Sequence, residues 1–320
     1  MSKHVLVTGS GGFIFSNFIR KALFKKADNY TFASIDACKS SNVLNNIYVN
    51  KGHKFYIGDI SDRHFINTIF ELERPDIVIN GAALTFVDDS IDNADDFIKS
   101  NVLGTQILID ACIKWKVERL IQISTDEVLG ALKNDSDEPW KEDAPMAPRN
   151  PYSASKAASE MLVRAASNTH GLQYNITRSC NNYGPRQQVK NFIPKTISRI
   201  LKREGVPIFG NGMQMREWIY VDDNCSAIMA VMENGEPNET YNISSGHEFH
   251  NIEVFQEICN VMGTGHDLIT YVPDRPGHDF RYAIDSSKLR GLGWKPTYKF
   301  KQGIKNTVDW YTNNQWWFNK

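Results

Sequence analysis

The sequence predicts an α/β protein, a doubly wound parallel sheet followed by a smaller C-terminal domain. Three observations predict it. Short apolar runs alternate with helical patterns along the first 180 residues, which is the signature of successive βα units. The first run, Val5-Leu6-Val7, breaks at a glycine turn, Gly9-Ser10-Gly11-Gly12, and a helical pattern opens at Phe13. The apolar runs also end in small or acidic residues, at the strand ends where such sheets hold their ligands.

Length and composition set the outer bounds. A chain of 320 residues buries a sizeable core in one large or two smaller domains. It is 41% hydrophobic and 23% charged with a formal net charge of -1, so bulk charge predicts neither nucleic-acid nor membrane binding. An anionic ligand must be held by local donors. The five cysteines are scattered without a C-x-x-C or a cysteine–histidine ligand spacing, which points away from a disulfide scaffold or a metal site and towards a reducing compartment. His4-Val5-Leu6-Val7 is too short for a secretion signal, and no run approaches the roughly 18–20 apolar residues of a membrane span. The expected location is the cytoplasm.

Taken in order, the glycine loop reads as a dinucleotide site of Rossmann type. Backbone N–H groups at the helix N-terminus receive a pyrophosphate, and Gly9 and Gly12 permit the turn and the close approach. The third glycine of that pattern belongs at position 15, where this chain has Phe15. A ring there requires extra room or a shifted helix. The next strand, 30–35, runs into Asp36, whose carboxylate suits the hydroxyls of an adenosine ribose and repels a 2′-phosphate. That favours NAD over NADP, with Lys39 nearby leaving NADP open. A strand at 54–57 ends in Gly58-Asp59-Ile60, a helix follows at 62–72, and a strand at 77–79 ends in Asn80-Gly81-Ala82-Ala83, small enough for a cofactor to lie against the backbone. A long helix around 96–114 leads to the strand that enters Ser124, then come the helix opening near Tyr152 and a strand at 173–178. The second half is less regular, and its terminal cluster, Trp310, Trp316 and Trp317, reads as packing.

The stretch from Ser124 to Lys156 carries the chemistry. In a helix, Tyr152 and Lys156 share one face a turn apart, and an ammonium beside a phenol favours the phenolate. With a positively charged nicotinamide, Tyr152 becomes a base for a hydroxyl whose carbon gives up hydride. Asp126 and Glu127 have no part in plain redox. Two adjacent carboxylates whose environments separate their pKa values can act as base and acid. Oxidation of a sugar alcohol acidifies the neighbouring C–H, so one acid removes that proton and the other protonates a departing hydroxyl.

This combination resembles the extended short-chain dehydrogenase/reductase family over essentially the whole chain. Ser124-Thr125-Asp126-Glu127-Val128-Leu129-Gly130, Tyr152-Ser153-Ala154-Ser155-Lys156, Asn181-Asn182-Tyr183-Gly184-Pro185, Arg216-Glu217-Trp218 and Asp274-Arg275-Pro276-Gly277-His278 are similar to the motifs of its dTDP-glucose 4,6-dehydratase group. The resemblance implies a lyase in which Tyr152, with Thr125 and Lys156, oxidises C4 onto NAD. Glu127 then removes the C5 proton, Asp126 protonates the C6 hydroxyl, and hydride returns to C6. It places Gly9, Gly12, Phe13, Ile14, Asp36, Asp59, Ile60, Ala82, Ala83, Ser100, Tyr152, Lys156 and Asn182 on the cofactor. It places Thr85, Asn181, Asn191, Pro207, Phe209, Arg216, Asn251, Asp274, Arg275 and His278 on a nucleotide-sugar substrate, with Arg216 and Arg275 suited to a diphosphate.

The implied domains are an NAD-binding domain over 1–180, also receiving about 217–243, and a mainly nucleotide-sugar-binding domain over 181–320. A homodimer through the helices near 96–114 and 152–166 is also implied. Leu84 and Phe86 stand where the group often has glutamate and histidine, Leu129 replaces a tyrosine, and the 186–191 segment departs from the common pattern. Thymine and uracil nucleotides both stay open. The alternatives are a UDP-sugar epimerase or decarboxylase, which has no need of Asp126 and Glu127, and a cofactor-binding scaffold that has lost catalysis.

Overall fold

The computed structural model describes residues 2–25, 29–39, 43–48, 53–274 and 279–319. The chain opens with β1 (Lys3–Thr8), α1 (Phe13–Lys25), β2 (Tyr30–Asp36), a short α2 (Val43–Asn46), β3 (His53–Ile57), α3 (Arg63–Glu73) and β4 (Ile77–Asn80). Helices α4 (Val87–Asp92) and α5 (Ala94–Phe97) pass through a π-helical turn, Ile98–Leu103, into α6 (Gly104–Trp115). Strand β5 (Arg119–Thr125) enters a 3-10 turn over Asp126–Leu129, followed by α7 (Pro151–His170) and β6 (Tyr174–Ser179). Next come β7 (Asn181–Tyr183), α8 (Phe192–Leu201), β8 (Val206–Phe209), β9 (Met215–Tyr220), α9 (Val221–Asn234) and β10 (Glu239–Ile243). The last elements are β11 (Glu248–His250), α10 (Asn251–Met262), β12 (Ile269–Val272), β13 (Arg281–Tyr282), α11 (Ser287–Gly291) and α12 (Phe300–Asn313).

Seven strands form one sheet in the order β3-β2-β1-β4-β5-β6-β10, and every pairing in it is parallel. Its strands are covered on both faces, which is why Val5-Leu6-Val7 and Ile77-Val78-Ile79 read as continuous apolar runs instead of alternating ones. One face packs against α1 and α9, the other against α3, α6 and α7. Chain order reverses between β1 and β4, so the crevice at their C-terminal ends is the place where this topology holds ligands. A separate core joins α8, α10 and α12 with Tyr183, Trp218 and Trp317. Trp317 is buried there as packing, while Trp316 is exposed.

The ring of Phe15 is buried without displacing α1 from its expected range. Its room comes from Gly81. A Cβ built on Gly81 would lie 2.1 Å from Phe15 Cε2, so a glycine on β4's exit loop takes over the close-packing role normally filled by a glycine on the helix. The helix expected near 96–114 is broken in register by the π turn. That turn sets Asn101 where it accepts from Leu84 N at 2.9 Å and donates to Leu84 O at 3.0 Å. It thereby ties down the irregular segment after β4, as π turns at functional sites often do.

Candidate active site

A cleft of about 600 Å³ opens at the strand ends, a volume suited to a cofactor and a small substrate. Its floor is the glycine loop. Gly9 has φ +70°, and a Cβ on it would lie 2.7 Å from Gly81 O, so both conformation and space require glycine. Asp36 closes the loop from β2, accepting from Gly11 N at 2.9 Å and from Cys38 N at 2.8 Å. Burial raises its pKa, and these two N–H groups offset the rise only in part. Lys39 pairs with Asp59 at 2.8 Å, so its charge is compensated at the site where a 2′-phosphate would need it. This cradle fits a dinucleotide without that phosphate.

The chemistry-bearing side chains meet where β5 ends. Thr125 caps the 3-10 turn, and its hydroxyl donates to Asp126 Oδ1 at 3.1 Å. Asp126 is buried, and its Oδ2 has no hydrogen-bond partner among the described residues. Burial, reinforced by the charge of Glu127 and more weakly by that of Glu217, pushes its pKa up to about 8. Glu127 is half-buried, and its Oε2 accepts from Asn150 Nδ2 at 3.1 Å. Asn150 is also the N-cap of α7, with Pro151 in the first turn, the arrangement those residue types favour. The cap fixes the start of the helix that carries Tyr152 and Lys156.

Tyr152 and Lys156 are both buried. The sequence reading has the ammonium favouring the phenolate. In the structure the Lys156 Nζ donates to Ile123 O at 2.5 Å, and burial lowers its pKa to about 8, with Glu160 opposing. Burial and then the charges of Glu127 and Asp126 raise the Tyr152 phenol, and the neighbouring Thr125 hydroxyl pulls it back only in part. Burial and the facing carboxylates outweigh the lysine for the protein alone. The phenol of the protein alone is therefore held in its protonated form.

The cleft brings together Thr125, Asp126, Glu127, Tyr152 and Lys156 with Gly9, Gly12, Phe13, Ile14, Asp36, Asp59, Ile60, Ala82, Ala83, Ser100 and Asn182. Of the expected substrate positions, Thr85, Asn181 and Asn191 line it as well. Pro207, Phe209, Asn251 and Asp274 do not, and gather instead around the 210–214 turn. There Asn251 N donates to Gln214 O at 3.0 Å, and Gln214 Nε2 donates to Asp274 Oδ2 at 2.7 Å. The Arg216 guanidinium is also outside the lining. It donates to Met215 O, Phe280 O and Asp279 O and lies over the Tyr282 ring at 4.8 Å. Arg275 and His278 lie outside the described residues.

The sequence model of the GDP-mannose 4,6 dehydratase family matches residues 6–307. The chain belongs to this family. Within its reach, the low-salt glycan biosynthesis protein Agl12 of Haloferax volcanii is 44% identical over 96% of this chain and 98% of its own. A dTDP-glucose 4,6-dehydratase of Xanthomonas campestris is 41% identical over 98% of this chain and 94% of its own. The crystal structure of DesIV, a dTDP-glucose 4,6-dehydratase from Streptomyces venezuelae solved with NAD, superposes with a TM-score of 0.92 at 36% identity, covering 98% of both chains.

Family membership does not by itself name every residue at this site. Asn150, which positions Glu127, was missed in the sequence, although Asn-Pro before a helical pattern is a cap signature that could have found it. Glu217 was not legible. It is buried on β9, its Oε1 accepts from Gly246 N at 2.6 Å, and burial pushes its pKa up to about 7. Gln187 and Lys190 line the cleft, as Glu217 does not, and no local pattern marks them.

Proposed function

We propose that the protein is an NAD-dependent nucleotide-sugar 4,6-dehydratase, a lyase of deoxysugar biosynthesis. It converts dTDP-glucose or UDP-glucose to the 4-keto-6-deoxy sugar and water. The observation that carries this reading is the unequal environment of the adjacent acids. Burial and the charge of Glu127 raise Asp126 to about 8, so it holds a proton to donate near neutral pH, while Glu127 stands half-buried on Asn150. Redox alone needs neither. The relatives' names and the NAD in the DesIV structure support the same assignment.

When bound, NAD supplies the hydride acceptor for C4 and returns hydride to C6. Gly9 and Gly12 receive its pyrophosphate and Asp36 its ribose. Tyr152 takes the C4 hydroxyl proton, with Thr125 and Lys156 holding the phenol's surroundings. Glu127 removes the C5 proton and gives it back at the end, and Asp126 protonates the departing C6 hydroxyl. Thr85, Asn181 and Asn191 are proposed sugar contacts, and Pro207, Phe209, Arg216, Asn251, Asp274, Arg275 and His278 nucleotide contacts. For Arg216 to reach a diphosphate, it must exchange backbone carbonyls for phosphate oxygens. The proposed division is an NAD-binding domain over 1–180 with 217–243, and a nucleotide-sugar domain over 181–320. β10 supports it by closing the large sheet.

A homodimer is proposed through the π turn, α6 and α7, where Ile98, Leu103 and Met161 are exposed. Sedimentation of Met161→Lys as a monomer, with wild type as a dimer, tests it. The five cysteines are unpaired, in keeping with a cytoplasmic location, and no helix among the described residues is long and apolar enough to cross a membrane. The reaction itself is tested by incubating the protein and NAD with dTDP-glucose and UDP-glucose in parallel. A 4-keto-6-deoxy product is expected from at least one. A 4-epimer formed without loss of water would make the protein an epimerase instead.

A further inference from the structure

The two adjacent acids have opposite duties in the dehydration proposed above, and adjacency alone does not say which is the base. Their neighbours distinguish them. Asp126 Oδ1 meets the Thr125 hydroxyl at 3.1 Å, a group that can both give and accept a hydrogen bond. Glu127 meets the Asn150 side-chain amide, whose Nδ2 lies 3.1 Å from Oε2. An amide nitrogen only donates, and a donor aimed at a carboxyl group favours its charged, proton-accepting form.

The direction of that amide is set by the chain and not by Glu127. As the N-cap of α7, Asn150 accepts through Oδ1 from Ser153 N at 2.8 Å. A backbone N–H cannot accept, so the amide oxygen faces the helix and its NH₂ group faces Glu127. The backbone around the amide is pinned as well. Ser153 Oγ accepts from Arg149 N and Asn150 N, each at 3.2 Å, and Pro151 holds the first turn. The turn that carries the acids is docked on the same lead-in to α7. Ala147 N donates to Val128 O at 3.0 Å, and Gly130, at φ +79°, has Ala147 O 2.7 Å from where a Cβ would stand. A backbone contact and a side-chain contact thus join the acids to the start of the helix that bears Tyr152.

Capping does not by itself call for asparagine, because aspartate and serine cap helices about equally well. An ionised aspartate has no proton to give Glu127, and serine offers a single oxygen where asparagine offers a fork. Of these caps, the amide alone accepts from the helix and donates to the acid through two different atoms. We propose, on the dehydratase reading above, that Asn150 is a positioning residue that assigns the base role to Glu127 and holds it in register with Tyr152. The two groups act on neighbouring atoms of the sugar, the phenol on the C4 hydroxyl and the carboxylate on the C5 proton. At C5 the C–H bond breaks, a Glu127 O–H bond forms, and the electron pair is taken up beside the C4 carbonyl. Anchoring both groups to one helix start keeps their spacing through both steps, and small misplacements of such groups cost rate steeply.

The test uses the NAD-loaded full chain with dTDP-glucose or UDP-glucose, whichever the wild type converts. Asn150→Ser and Asn150→Asp both keep a cap and remove the amide donor, and the aspartate also sets a second negative charge against Glu127. Both variants should melt within about 2 °C of wild type. In stopped flow, reduced-nicotinamide absorbance should rise at the wild-type rate to within about twofold, then decay at least about tenfold more slowly. Deuterium at C5 should slow that decay more in the variants than in wild type, because C5 proton removal has become the slow step. Decay at the wild-type rate in either variant overturns the role of Asn150 and leaves the dehydratase reading intact. Joint loss of the absorbance rise and of thermal stability in both variants also overturns it, since that marks a cap and nothing more. If the serine variant alone does not fold, the aspartate variant, whose charge suits a helix N-terminus, decides by the same readings. Wild-type protein that forms no 4-keto product from either sugar overturns the dehydratase reading, and this role with it.

Discussion

Gly81→Ala is an ordinary-looking substitution that this fold should not accept, and the reason is Phe15. The three atoms nearest to a Cβ at Gly81 all belong to the Phe15 ring, at 2.1, 2.3 and 2.9 Å. Relieving that overlap means moving a buried ring that also packs on Phe18 at 5.6 Å, and overpacking of this kind costs about 1–3 kcal/mol. Phe15→Ala alone removes a ring that is 3% exposed and should cost about 3–5 kcal/mol. In the double variant the new methyl group enters the space the ring has left, so Gly81→Ala should cost about 0.5 kcal/mol or less. The predicted coupling is therefore about 1–2 kcal/mol in favour of the pair. Urea unfolding of wild type, both single variants and the double variant measures it. Strict additivity, or a harmless Gly81→Ala in the wild-type background, would refute the compensation.

Three further predictions concern the chemistry. Asp126 is raised to about 8, so it is protonated below that pH and loses its proton as pH rises through it. The elimination step should hold below about pH 8 and fall above it, and Asp126→Asn should remove that limb together with about 10²–10⁴-fold of the rate. Glu127→Gln should oxidise the sugar and then stall with reduced-nicotinamide absorbance, whereas Tyr152→Phe should never develop that absorbance; full turnover by Glu127→Gln contradicts the assignment. Gly9→Val forces a branched side chain into φ +70° and 2.7 Å from Gly81 O, at a cost of roughly 1–2 kcal/mol for the conformation alone. NAD titration should show at least tenfold weaker binding, and unchanged binding would remove the glycine loop from the cofactor site.

Much of this was legible because the large sheet is locally encoded. β1, β2, β4 and β5 are buried runs bounded by glycine or acid, and the cleft residues come from their ends. The π turn was not legible, since the contact it serves, Asn101 with Leu84, lies 17 residues back in the chain. Nor was the partner of Phe15, because the odd residue and its compensation, Gly81, sit on different elements. The surroundings of Lys156 were not legible either, for an electrostatic reason. A four-residue spacing shows that two side chains share a helix face, but does not show that Ile123 O takes the ammonium while Glu127 faces the phenol. Glu217 belongs to the same class, a buried acid whose effect on Asp126 depends on how β9 lies beside β5's end.

The account's central claim is that hydride leaves C4 and returns to C6 of the same sugar while Asp126 and Glu127 expel water between the two transfers. A nucleotide glucose carrying deuterium at C4, incubated with the protein and unlabelled NAD, tests this most directly. The account predicts a 4-keto-6-deoxy product with the deuterium at C6. Deuterium returned to C4 in a sugar that has kept its C6 hydroxyl would contradict it.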